Sequence, residues 1–233
     1  MKAIILGICM LTSTTVSAQM NSIDAITSAK TREDSIKVKE SNFWYVIHHR
    51  RSVRKFKPDS IPDKDIITII DAARMAPTSG NQQPWKFLVI KDRNKINLMQ
   101  SACINRLLNE YENIKLYYKG TKEQYTQEVT KRYEDCFSAP VYIVILTDNN
   151  SKYPDYNHWD GPLGAGYLML AARALGYGTV FITDAISVEV TKDVLKIPDS
   201  YTRVCITPLG IPYEWPETPD KKSLEEFIVR EQF

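Results

Sequence analysis

Six apolar residues in a row, Val141-Tyr142-Ile143-Val144-Ile145-Leu146, follow Pro140. A strand with one face in water alternates apolar and polar residues, so an unbroken run of branched and aromatic side chains needs apolar cover on both faces. The run predicts a central strand. Pro84-Trp85-Lys86-Phe87-Leu88-Val89-Ile90 has the same character and predicts a second strand, and Thr179 to Thr183 and Val204 to Leu209 predict two more. Between them lie helical patterns. One starts at Phe43 and ends near His49. A second covers 62–75, with Pro62 in the first turn, Asp63 and Asp65 at the positive helix end, and Ile66, Ile67, Ile70 and Ala73 at helical spacing. Residues 95–136 suit two helices with a turn near Gly120 and a Tyr-rich surface. Residues 163–176 form a small-residue helix closed by Gly176 and Gly178, and Ser187 to Val194 a short one. No regular strand-helix-strand rhythm appears, which favours an α+β fold, a sheet flanked by helices.

The chain has 233 residues, 43% of them apolar, enough for one domain with its own core. Thirty Lys and Arg against 28 Asp and Glu give +2, too weak a field for a nucleic-acid partner. Residues 1–18 read as an export signal. Lys2 precedes the apolar run Ala3 to Leu11, and Val16-Ser17-Ala18 offers a cleavage site; the run is too short to span a bilayer. Export would place the mature protein in a periplasmic or extracellular space, and retention of the segment would leave it cytoplasmic. Residues 19–40 are polar and predict a tether, which leaves 41–233 as the domain. The mature cysteines, Cys103, Cys136 and Cys205, match no disulfide or zinc pattern, and His48, His49 and His158 lack metal-ligand spacing, so no metal is expected.

Two segments carry chemistry. Arg50-Arg51-Ser52-Val53-Arg54-Lys55 is the sharpest charge cluster. In an extended segment Arg50, Ser52 and Arg54 point one way and suit a phosphate, although a solvated face or a polyanion patch fits the run as well. Pro77-Thr78-Ser79-Gly80-Asn81-Gln82-Gln83-Pro84-Trp85 gathers turn formers and amides. Amides carry both donor and acceptor, which suits the edge of a flat heterocycle, and an ordinary helix-to-strand turn is the plainer reading.

RRSVRKF, APTSGNQQPWKFLVI, DGPLGAGYLMLAARALGYGT and LGIPYEWPETPDKKSLEEFI, in that order, resemble the nitroreductase family of FMN-dependent flavoenzymes. The resemblance runs from about Trp44 to Ile228. It implies an α+β sandwich in an intertwined homodimer with FMN sites built from both subunits. It implies FMN contacts from Arg50, Arg51, Ser52 and Arg54, from Pro77, Thr78, Ser79, Asn81 and Gln83, and from Lys221 where relatives often carry Arg. It further implies ping-pong hydride transfer from NAD(P)H or another donor through flavin N5 to a nitroaromatic, quinone or similar small oxidant. The alternatives within the resemblance are a flavin-binding protein without turnover and a specialised reductive dehalogenase. The third motif departs from the family: Tyr167 stands where many relatives have Asn, leaving backbone N–H groups of a turn at Gly161 to Gly164 as candidates to face N5.

Overall fold

The computed structural model describes residues 43–232; the expected export signal and tether lie outside them. Four strands, β1 (Trp85–Ile90), β2 (Val141–Asp148), β3 (Gly178–Thr179) and β4 (Tyr201–Gly210), form one antiparallel sheet in the order β1-β2-β4-β3. The run that opened the sequence argument is indeed interior. Val141, Ile143 and Ile145 of β2 pack on one layer, and Tyr142, Val144 and Leu146 on the other. All six are buried.

The first layer holds α2 (Asp63–Ala73) and α6 (Asn157–Ala174), which cover Val141, Ile143 and Ile145 with Ile66, Ile69, Ala73, Ala165, Leu168 and Ala172. The opposite layer is α3 (Arg93–Asn109), the single turn α4 (Tyr111–Ile114), α5 (Lys122–Cys136) and α7 (Val188–Leu195). Local signals set their ends. Asp92 accepts from the Asn94 N–H to start α3, Thr121 and Gln124 form a reciprocal capping box on α5, and Ser187 accepts from the Val190 N–H on α7. The helix α1 (Phe43–His49) precedes all of these, burying Val46. The architecture is the α+β sandwich that the family resemblance implies, with an antiparallel four-stranded sheet.

Four details differ from the sequence reading. The helix expected from 163 starts at Asn157 and carries Pro162 inside it. An interior proline forfeits one backbone bond but need not end a helix when tertiary packing holds both flanks. The turn expected at Gly161 to Gly164 is therefore helical. Residues 95–136 form three helical pieces rather than two. The strand expected over 179–183 is paired only at Gly178–Thr179, with one further isolated bridge between Ile182 and Ile206.

A β-bulge sits where α6 crosses the sheet. Ile145 pairs with Cys205 and Leu146 with Arg203, so Val204 is extra. Val204 packs with Cys205 toward α6, and a Cβ at Gly161 would lie 2.4 Å from its Cγ2. Glycine at 161 and the bulge are thus matched. The bulge also breaks the alternation of β4, turning Arg203 to the face opposite Cys205.

Candidate functional site

After α1 the first motif runs extended. Ser52 bridges Thr179 in parallel, the Val53 N–H donates to the Thr179 carbonyl at 3.0 Å, and Phe56 bridges Pro212. Val53 and Phe56 are buried, which fixes the strip against the end of the sheet and leaves Arg54 exposed beside half-buried Arg50 and Ser52. Arg50 has no side-chain hydrogen bond or ion pair among the described residues, so its guanidinium is available to an anion. Arg51 is differently used. It donates to the His48 and Arg50 carbonyls at 2.7 and 2.8 Å and to the Thr218 hydroxyl, tying the C-terminal segment to the motif. Tyr213 joins the same seam through its N–H to the Lys55 carbonyl at 3.1 Å. Lys221 follows three residues after Thr218 and is exposed.

Arg54 lines a cavity of about 530 Å³. Its other walls are Arg132, Asp135 and Cys136 of α5, Pro208 of β4, and the strap Val180 to Ala185 that follows β3. The strap is held from behind. Arg203 donates to the carbonyls of Thr183, Ile186 and Ser187, the last two at 2.8 and 3.2 Å, and the Tyr133 hydroxyl donates to the Ala185 carbonyl at 2.6 Å. The N–H groups of Thr183, Asp184 and Ala185 have no acceptor among the described residues. Burial pushes the Cys136 thiol up to about 11, so the cavity wall offers no thiolate nucleophile at neutral pH.

The second motif packs elsewhere, on the N-terminal turns of α6. Asp160, 2% exposed, accepts from the Ser79 N–H at 3.0 Å, the Ser79 hydroxyl at 3.4 Å and the Gln82 amide at 2.7 Å. The Gln83 N–H donates to the Thr78 hydroxyl at 3.1 Å. This frame holds three left-handed residues, Gly80 (φ 56°), Asn81 (φ 54°) and Gln83 (φ 49°). Gly80 has no alternative, because a Cβ there would fall 2.5 Å from the Tyr153 ring. Asn81 and Gln83 carry backbone strain of about 1–3 kcal/mol each, and their exposed amides bond chiefly to one another, at 3.2 Å.

The two motifs therefore do not share this cavity within the chain: it has no wall from Pro77 to Trp85, and Arg54 is its one lining residue from the first motif. Gly161 and Gly164 take no part in that cavity either. They let α6 approach the sheet, Gly161 at Val204 and Gly164 at Trp85. Sequence reasoning missed the strap and its two anchors, Arg203 and Tyr133, since their hydrogen bonds join residues 20 and 52 positions apart with no local signature.

The model of the nitroreductase family matches residues 47–211. The chain belongs to the nitroreductase family. It is 29% identical over 184 residues to an iodotyrosine deiodinase of Thermotoga neapolitana, covering 78% of this chain and 92% of that protein. It is 30% identical over 194 residues to a 4-nitrobenzoate reductase of Pseudomonas putida, covering 72% and 85%. An iodotyrosine deiodinase solved with FMN and 3-iodo-L-tyrosine shares the fold at a TM-score of 0.66 and 24% identity, over 82% of this chain and 100% of that one. A Desulfovibrio desulfuricans protein solved in complex with FMN does so at 0.63 and 20%, over 82% and 97%. The α+β sandwich described above is therefore the family fold.

Proposed function

We propose that this chain is an FMN-dependent oxidoreductase. The observation that carries the reading is the cavity in which Arg54 and the unbonded amides of the 183–185 strap meet. Its residues suit a flavin nucleotide: a guanidinium for negative charge, backbone donors for a polar ring edge, and the apolar Val180, Phe181, Ile182 and Pro208 for a flat ring. Bound FMN supplies the redox chemistry, taking an electron pair from a donor and passing it to an oxidant. Arg50 and Ser52 hold the phosphate and ribityl end, with Lys221 lending charge from the C-terminal segment. Strap N–H groups, rather than amides near Gly161, donate to the ring where negative charge develops. Asn81 and Gln83 reach the ring from a second copy of the chain, so the active species is a homodimer.

The donor is NAD(P)H or another reductant, and the oxidant a small aromatic such as a nitroaromatic or quinone. Similarity to iodotyrosine deiodinases in sequence and in fold supports a second reading, in which the oxidant is a halogenated tyrosine. Residues 1–18 direct export, which would part the enzyme from cytosolic NAD(P)H; N-terminal sequencing of the mature protein tests this. The functional test is anaerobic. Reduced FMN-loaded protein is mixed with 4-nitrobenzoate, a benzoquinone or 3-iodotyrosine, and oxidant-dependent return of flavin absorbance supports the reading. Protein that stays colourless after incubation with FMN refutes it, and return with 3-iodotyrosine alone selects the dehalogenase.

A further inference from the structure

We infer that Arg203 is a positioning residue that fixes the strap and aims its N–H groups into the cavity. The inference rests on the reading of that cavity as the flavin site. It begins in β4, where the extra residue Val204 reverses the side-chain alternation. Without the bulge Arg203 would share the α6 face with Cys205. With it, the guanidinium enters the opposite layer and meets the Thr191 hydroxyl at 2.8 Å and the carbonyls of Thr183, Ile186 and Ser187.

Among the described residues no carboxylate lies within ion-pair distance of this half-buried cation, which feels Asp184 and Glu189 only through space, and its Nε–H is buried without an acceptor. A charge kept under such terms is expensive to bury, which argues that its position matters beyond filling space. Carbonyl and N–H of a trans peptide point in opposite directions. Anchoring the Thr183 carbonyl on Arg203 therefore sends the Asp184 N–H the other way, into the cavity that Thr183 to Ala185 line. The cation behind the peptide also polarises that donor, so the strap presents an oriented N–H to its ligand with no reorganisation, beside the Asp184 carboxylate that lines the same cavity.

The test compares wild type with Arg203→Met, which keeps length without charge or fork, and Arg203→Lys, which keeps charge only. Backbone 15N order parameters are read first on apoprotein. Those of residues 183–185 should drop from about 0.85 to below about 0.6 in both variants, while β1 and β2 stay at about 0.85. Loaded with FMN, Arg203→Met should show about tenfold weaker FMN retention and a lower midpoint potential, with Arg203→Lys restoring the potential in part. If Arg203→Met fails to fold, Thr191→Val, which removes the hydroxyl that accepts from Arg203 and donates to the Ser187 carbonyl at 2.7 Å, should lower the same strap order parameters. Unchanged strap order parameters in a folded variant overturn the inference, as does a uniform drop across the sheet, which means loss of general stability alone. Failure of wild-type protein to bind FMN overturns the flavin reading instead, whatever the order parameters.

Discussion

Replacing Asp160 by asparagine keeps the shape of the side chain and removes one of its two acceptor oxygens. In the native protein both oxygens are used, one by the Ser79 N–H at 3.0 Å and the other by the Gln82 amide at 2.7 Å. Whichever way the new amide turns, an N–H₂ faces a donor and the surviving bond loses its ionic character. A hydrogen bond to a charged group contributes about 1.5–3 kcal/mol and a neutral one about 0.5–1.5. At a residue only 2% exposed no water relieves the loss. Losing one charged bond and weakening the other gives roughly 2–4 kcal/mol, and a domain of this size moves its Tm by about 2–4 °C per kcal/mol. We expect the apoprotein Tm to fall by roughly 5–15 °C by circular dichroism. Asp199→Asn, which touches only an exposed ion pair with Lys192, should barely move it. A shift in Asp160→Asn no larger than in Asp199→Asn refutes the claim that Asp160 anchors the loop.

Gly161→Ala pushes a methyl into Val204 and should cost about 1–3 kcal/mol in urea denaturation; an unchanged midpoint would show that the bulge yields freely. Arg50→Ala should weaken FMN binding about tenfold or more by fluorescence titration, since a charge-assisted contact is lost, while Cys103→Ala leaves it within about twofold; equal constants in the two variants would contradict the placement of Arg50. Burial raises the thiols of Cys136 and Cys205 to about 11 and about 12. The unfolded chain therefore loses these protons first, so stability is full below pH 9 and falls as pH rises toward 12. Cys136→Ala should show a shallower alkaline loss, and an identical slope would contradict the assignment.

The fold was readable where one residue type dictates one environment. Val141 to Leu146 announced a strand covered on both faces, and Pro62 with Asp63 and Asp65 announced a helix start that the backbone respects. The start of α6 was not readable, because residues 157–162 join the helix where Gly161 and Gly164 pack closely on Val204 and Trp85, contacts that no neighbour in sequence reveals. The first motif was legible as an extended basic strip; its division of labour was not, since Arg51 is turned to Thr218, 167 residues away. The strap was illegible for the same reason. Its conformation is held by Arg203 across a bulge, and a bulge depends on strand register rather than on composition.

Titration of apoprotein with FMN, followed by flavin fluorescence and by sedimentation, tests the central claim most directly. The account predicts saturation at one flavin per chain with a Kd of about 1 μM or below on a species of two chains, with the signal lost in an Arg50→Ala, Arg54→Ala double variant. No quenching up to about 100 μM FMN, or full binding by that double variant, would contradict it.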